Sequence, residues 1–176
     1  MATNEINERR MDAYIPDNSD PEGDHFEALS RDKVPVRSVR ETDLDDIVRI
    51  DGKLVGRERR DFFQSKMREI MSKSGIRISL VAEVDNHAVG FIMARVDYGE
   101  FGKTEATAVI DLLGVHPGFS KRGVGSALMS QLQANLDALR VERIRTNVSW
   151  NNFSLLAFLE DNNFRPSQRL VLRKRI

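Results

Sequence analysis

From residue 34 onward the chain alternates short apolar runs with longer stretches whose apolar residues recur every three or four positions. Residues 34–40 alternate apolar and polar side chains, the pattern of a half-buried first strand. Leu44, Ile47, Val48 and Ile50 then share one face of a helix capped by Thr42, with Asp43, Asp45 and Asp46 where negative charge offsets the helix dipole. Gly52 is expected to end it. A second helix over about 57–73 is expected to bury Phe62, Phe63, Met67, Ile70 and Met71, with Gly75 as a left-handed stop. Residues 76–84 and 88–97 read as two strands of a hairpin turning at Asp85-Asn86-His87. Past a loop over 98–103, the β-branched run over 108–115 suits a buried strand, and Leu128, Leu132, Leu136 and Leu139 line one face of a third helix. Residues 143–148 read as a fifth strand and 152–164 as a helix. Residues 168–176 alternate as a last strand, with Arg169, Arg173 and Arg175 on its outer side.

Ahead of this body, residues 1–33 hold nine Asp or Glu against four Arg or Lys, and Pro16 and Pro21 interrupt any long helix. They are read as a polar, acidic extension, leaving 34–176 as one domain. Phe26 and Leu29 are its candidates for docking on the body or on a partner subunit.

Composition narrows the function classes. Lys+Arg and Asp+Glu are equal at 27 each, so the excess positive charge that phosphate neutralisation demands of a nucleic-acid binder is missing. There is no cysteine, which removes disulfides, thiol nucleophiles and zinc-thiolate sites and fits a reducing cytoplasm. The three histidines, His25, His87 and His116, stand singly with no ligand spacing, so no metal site is expected. No run approaches the ~18 apolar residues of a membrane span, and the first residues lack the pattern of a signal peptide. A soluble, cytoplasmic protein is expected, with no nucleic-acid or membrane partner.

The distinctive chemistry lies between the fourth strand and the third helix, in Ser120-Lys121-Arg122-Gly123-Val124-Gly125-Ser126. A helix start leaves backbone N–H groups unpaired and carries about half a positive charge, so anions collect there. Gly123 and Gly125 let a bulky anion approach the main chain, and Lys121 and Arg122 add mobile charge, which together describe a diphosphate cradle. Two phosphate loops are excluded. The nucleoside-triphosphate loop places its lysine after the glycines, and the dinucleotide fingerprint needs a third glycine where Leu128 stands.

The segment resembles motif A of the GNAT superfamily of acyl-CoA-dependent N-acetyltransferases, Gln/Arg-x-x-Gly-x-Gly/Ala, preceded by the strand ending Val115-His116-Pro117, with Ser120 at the usual Gln or Arg position. Residues 152–164 are similar to motif B, where Asn152, Phe158 and Phe164 match and Leu155, Leu159 and Asn163 replace the usual Ala, Tyr and Gly. The resemblance covers residues 34–176. It implies an α/β (α+β) fold with a mixed, mostly antiparallel central sheet of about six to seven strands flanked by about four helices. It also implies acetyl-CoA as cofactor and acetyl transfer to a primary amine of a peptide, protein or small molecule. The alternative is a non-catalytic acyl-CoA-binding module or sensor.

Carried onto these residues, the resemblance assigns the cofactor to Leu113, Val115, Lys121, Arg122, Gly123, Val124, Gly125, Ser126 and Asn152. It gives polarisation of the thioester carbonyl to a backbone amide of the fourth strand, at Leu113 or Val115. Strand alternation puts Asp111, Leu113 and Val115 on one face, and the family's base often lies on this strand, so Asp111 is the candidate base, with pairing to a backbone group or arginine as the other reading. Glu105 and Glu83 are weaker candidates. Leu159 cannot protonate the leaving sulfur as a tyrosine would, and Ser154 or water is the substitute. Asp43, Asp45, Asp46 and Asp51 could draw a cationic acceptor or serve only helix ends. Arg57, Arg59 and Arg60 could recognise a carboxylate instead. Trp150 is expected to pack in the body. The final strand or the tail could pair two subunits into a homodimer.

Overall fold

A computed structural model describes residues 33–72, 75–100, 103–168, 172, 174 and 175. Nearly all of the acidic extension, including Phe26 and Leu29, and five of the nine residues of the expected final strand lie outside the described residues. The chain runs β1 (Val36–Ser38), a 3-10 turn (Glu41–Asp43), α1 (Leu44–Val55), α2 (Arg60–Met71), β2 (Arg77–Val84), β3 (His87–Glu100) and β4 (Lys103–Val115). A second 3-10 turn (Pro117–Phe119), α3 (Val124–Ala138), β5 (Arg143–Thr146) and α4 (Phe153–Asp161) follow.

Among the described residues five strands form one sheet in the order β1-β2-β3-β4-β5. The first three junctions are antiparallel and β4–β5 is parallel. That change of direction follows from the connection, because a parallel neighbour needs a long crossover and α3 supplies it. The mixed, mostly antiparallel sheet flanked by helices is the expected fold class; among the described residues it has five strands, against the six to seven expected, and four helices follow β1, and of the final stretch residues 168, 172, 174 and 175 are described and lie in no strand.

Both faces of the sheet are covered, which is why β2 reads as a nearly continuous apolar run with Leu80, Val81 and Ala82 all buried. On one face Leu80, Ile92, Ala94 and Ile110 pack on Leu128 and Leu132 of α3. On the other, Val81, Phe91 and Met93 meet Ile47 and Ile50 of α1 and Phe63 and Met67 of α2. Phe63 and Phe91 touch edge to face at 5.8 Å between ring centres. The inward face of α2 is narrower than its sequence suggested, for Phe62 and Met71 are exposed.

The β2–β3 hairpin turns on two residues, Asp85 (φ 51°) and Asn86 (φ 63°), and His87 already belongs to β3. Two left-handed residues make the turn whose twist matches that of its strands. Gly52 does not end α1; the helix runs one turn further to Gly56 (φ 78°), whose N–H returns to the Gly52 carbonyl at 2.8 Å. The extra turn carries Leu54 onto Gly114 of β4, a tertiary contact that outweighs the low helix propensity of glycine. Similarly α2 stops at Met71, and Gly75 (φ 81°) is left-handed in the link to β2 rather than at the helix end.

The entry to α1 rests on Asp43, buried and bound by both terminal nitrogens of Arg37 at 2.8 Å and by the Arg40 N–H at 2.7 Å. Burial by itself would push this carboxyl up, but the hydrogen bonds from Arg37 and from the Arg40 amide prevail and hold it below the ordinary carboxylate value. The contribution is therefore present above the unfolded-state value, near pH 4, and is lost as pH falls through the depressed folded value. Asp43→Asn is expected to cost about 2 kcal/mol at pH 7. Urea melts of the two proteins should converge on going down through pH 4 and below.

Candidate active site

The C-terminal end of β4 is fastened to β3, with Val115 opposite Gly90 and the His116 N–H on the Val89 carbonyl at 2.8 Å. The 3-10 turn then reverses the chain, and Lys121 (φ 60°) and Gly123 (φ 80°) take left-handed conformations ahead of α3. Val124 is buried directly over Gly90, where an added Cβ would stand 2.7 Å from its methyl group. That contact seats the start of α3 beside the end of β4.

The first helical hydrogen bond runs from the Ala127 N–H to the Gly123 carbonyl at 2.9 Å. Among the described residues, no amide from Lys121 to Ser126 donates to a backbone carbonyl. This is the open set of donors that the sequence led one to expect, although the two glycines serve it differently. At Gly123 a Cβ would meet nothing, so the demand there is for the left-handed backbone. At Gly125 a Cβ would lie 3.0 Å from the Phe158 ring, so that glycine lets α4 close onto the start of α3. Lys121, Arg122 and Ser126 are exposed, and the Arg122 guanidinium lies 5.4 Å from the centre of the Phe119 ring.

Asn152 caps α4, its side-chain oxygen accepting from the Leu155 N–H at 3.3 Å and from the Ser154 hydroxyl at 3.2 Å. Leu159 is buried against α3. Asn163 (φ 62°) ends the helix, with Asn163 N–H on the Glu160 carbonyl and Phe164 N–H on the Leu159 carbonyl, as a left-handed C-cap requires. Asn163→Ala should cost about 1 kcal/mol and Asn163→Gly nothing, a pair of shifts readable by thermal melting.

β5 leaves β4 at this same end. Their pairing stops at Ile110–Thr146, whereas β4 continues to Val115. Antiparallel ladders alternate hydrogen-bonded and non-bonded pairs. Since His116 bonds to Val89, alternation places Leu112 and Gly114 in bonded pairs with β3 and turns the N–H groups of Leu113 and Val115 toward the edge that β5 has vacated.

At Asp111 the ladder carries a bulge, for Met93 pairs with Leu112 and Ala94 with Ile110. The extra residue inverts the phase of the pleat. Leu113 and Val115 pack on the α3 side, Leu112 packs on the α1–α2 side, and Asp111 does not share the face of Leu113 and Val115 as strict alternation predicts. Instead its carboxylate accepts from Arg95 of β3. Arg95 also donates through Nε to Asp97 at 3.1 Å, and Arg145 of β5 donates to the other Asp97 oxygen at 3.2 Å. The hydrogen bond to Asp111 is the chief cause that raises the Arg95 guanidinium above its ordinary value.

The sequence did not single out Arg95, Asp97 and Arg145; the period-two spacing of Arg95 and Asp97 on one strand was the available signal. It also gave His116 no role. That ring accepts the Gly118 N–H on Nδ1 at 3.1 Å and meets Lys53 Nζ on Nε2 at 2.8 Å, tying the turn before α3 to α1. Burial foremost, then the charges of Lys53 and Arg49, lowers its pKa.

The aspartates at the start and middle of α1 are all engaged. Asp45 pairs with Arg60 at 2.8 Å, Asp46 with Arg49 at 2.7 Å and the Ala88 N–H at 2.9 Å, and Asp51 with Arg59 at 2.5 and 2.8 Å. Asp45 and Asp51 thus brace α1 against the start of α2, Asp43 and Asp46 tie the α1 end to Arg37 of β1 and Ala88 of β3, and Arg59 and Arg60 are committed. Glu83 pairs with Arg37 at 2.5 Å and Glu105 with Arg143. Trp150 is 84% exposed, so the expectation that it packs in the body does not hold. Among the described residues, no cluster of three or more His, Cys, Asp or Glu could hold a metal, and no helix is long and apolar enough to cross a membrane.

Residues 53–164 match the family model described as the acetyltransferase (GNAT) family. The fold is similar to that of the aminoglycoside acetyltransferase AAC(6')-Iy solved with the bisubstrate analogue CoA-S-monomethyl-acetylneamine, at 20% identity and a TM-score of 0.70 over 81% of this chain and 99% of that one. It is also similar to the aminoglycoside 6'-N-acetyltransferase AAC(6')-Ih of Acinetobacter baumannii, at 18% identity and a TM-score of 0.69 over 81% and 98% of the two chains. A Trypanosoma brucei acetyltransferase matches at 18% identity and a TM-score of 0.64 over 81% and 99%.

Proposed function

Because the chain belongs to the acetyltransferase (GNAT) family, we propose that it transfers the acetyl group of acetyl-CoA to a primary amine by direct attack of the amine on the thioester. The observation that carries the reading is the row of unclaimed amides from Lys121 to Ser126, seated beside the point where β4 and β5 part. These residues fit the diphosphate of the cofactor. They offer several N–H donors at a helix start, a left-handed Gly123 and two exposed cations, the arrangement by which a helix terminus takes an anion. Acetyl-CoA supplies the acetyl group as a thioester.

The chain's own part follows from its geometry. The Leu113 and Val115 amides that face the gap are the donors toward the thioester carbonyl, and one such donor aimed at a developing oxyanion is worth about 3 kcal/mol. Val124 contributes only its amide, since its side chain is core. Asn152 holds the start of α4 and so shapes the wall of the gap. Asp111, in the bulge, takes the proton that the amine must lose. No side chain is required for the leaving sulfur, because releasing a thiol of pKa near 8.5 as thiolate at pH 7 costs about 2 kcal/mol. Neutralising an acceptor of pKa near 7.8, such as a peptide α-amine, costs about 1 kcal/mol at pH 7 against about 4.6 for a lysine side chain. The peptide α-amine is accordingly the easier substrate.

Steady release of free CoA thiol when purified protein, acetyl-CoA and a panel of amines are mixed tests the proposal. A thermal shift with acetyl-CoA but no thiol with any amine would instead favour an acyl-CoA-binding module, the reading to which the buried Leu159 at the usual tyrosine position lends support. The exposed charges at the cradle should matter modestly. Lys121→Ala and Arg122→Ala are each expected to raise the acetyl-CoA KM by about fivefold, the scale of one solvated ion pair, checked by initial rates at saturating amine.

A further inference from the structure

We propose that the Arg95–Asp111 pair is the docking point of the acceptor and that the acceptor is an aminocarboxylate, presenting its primary amine and a carboxylate on nearby carbons. The inference rests on the transferase reading and deepens it by naming the substrate class.

The pair stands in the right place. Asp111 is the bulged residue of β4, on the face that α3 does not cover, two residues from Leu113 and immediately past the last β4–β5 pairing. It is also incompletely used. Arg95 spends Nε on Asp97 and Nη1 on Asp111, and among the described residues its Nη2 has no partner. Asp111 spends Oδ1 on Arg95, and its Oδ2 has no partner among the described residues. A half-buried salt bridge thus leaves one charged donor and one charged acceptor open side by side, with Arg95 and Asp111 side chains 35% and 23% exposed. A carboxylate has the oxygens that Nη2 lacks, and an ammonium has the protons that Oδ2 lacks.

Charge selects against other amines. Asp97 and Asp111 each already face a guanidinium, and Arg77, opposite Arg95 on β2, is paired with Glu69, so a neutral zwitterion adds no uncompensated charge beside them. A polycation would bring several charges to carboxylates already compensated by guanidinium groups. A simple monoamine would satisfy Asp111 and leave Arg95 facing a positive neighbour with nothing to offset it. Arg95 is braced from behind, since Asp97 grips its Nε and is itself gripped by Arg145, so the open edge of the guanidinium keeps its aim.

The test compares matched acceptors on the full chain by thiol release. One pair is an α-amino acid and its methyl ester, with kcat/KM expressed per unprotonated amine so that the lower amine pKa of the ester does not enter, a second is a short peptide beginning with aspartate and the same peptide beginning with asparagine, and a polycationic aminoglycoside completes the set. In at least one pair, the member that keeps its carboxylate should have kcat/KM about 10- to 100-fold higher, the loss expected for one charge-assisted contact. Which pair shows the preference identifies the source, a free amino acid or an acidic peptide start. Arg95→Gln should bring that ratio toward one by raising KM for the carboxylate-bearing acceptor, and Arg95→Lys should keep part of it. Equal rates within both pairs, a ratio unmoved by Arg95→Gln, or the aminoglycoside as best acceptor would each overturn the inference while leaving acetyl transfer standing. No thiol with any amine would overturn acetyl transfer and this inference together.

Discussion

Gly125→Val is expected to lower kcat/KM for acetyl-CoA by at least about 100-fold, through the overlap of two costs. The first is packing. A Cβ at residue 125 already stands 3.0 Å from Phe158 Cε2 and 3.3 Å from Cζ, and valine adds two methyl groups, so α4 must retreat from the start of α3. Overpacking of this kind costs about 1–3 kcal/mol. The second is access, because residue 125 lies within the row of amides that would hold the diphosphate and a branched side chain crowds that row, and each charge-assisted bond lost there is worth about 1.5–3 kcal/mol. The costs separate in a double variant. Phe158→Leu in a Gly125→Val background should return much of the melting temperature while acetyl-CoA affinity, followed by calorimetric titration, stays low. Gly123→Ala is a milder control, because its Cβ enters open space and the penalty is confined to about 1–2 kcal/mol for a left-handed φ of 80°. A Gly125→Val protein that binds acetyl-CoA as tightly as the parent would remove the cradle from the mechanism.

The features legible in the sequence are those set by backbone chemistry over a few neighbouring residues. Asp85-Asn86 can supply two left-handed residues in succession, Asn163 is the best replacement for glycine at a helix stop, and a glycine pair after an apolar strand announces a helix start with free amides. The features missed depend on contacts far apart in the chain. Gly52 lies inside α1 because Leu54 finds Gly114 more than fifty residues away. Trp150 looks like core by size, yet it sits where the chain leaves β5, and among the described residues no layer covers it. The bulge matters most for the site, for nothing local to Asp111 marks it. It is a property of how many residues β3 and β4 place between common neighbours, and one extra residue moves a carboxylate to the opposite face of the sheet from Leu113. Strict alternation holds up to Ile110 and breaks immediately after it, so it describes the strand but not the face on which Asp111 stands.

That displacement sharpens what Asp111→Asn should do. The substitution keeps size and one oxygen able to accept from Arg95, which also retains Asp97, so its effect on folding should stay below about 1 kcal/mol for a pair this open to solvent. Its effect on turnover should be far larger, with kcat falling about 100- to 1000-fold near pH 7 if the free carboxylate oxygen removes the ammonium proton. The sign of the pH dependence separates this role from mere packing. Below the acceptor's pKa the amine arrives charged and a proton acceptor is indispensable; above it the amine arrives neutral and the need fades. The deficit of Asp111→Asn should therefore narrow steadily as pH rises through the acceptor's pKa, and it should narrow at lower pH for a peptide α-amine than for a lysine side chain. A structural fault would reduce kcat by the same factor at every pH and for both acceptors. A deficit that is flat across pH would leave Asp111 as the anchor of Arg95 and assign the proton to water entering where β5 turns away.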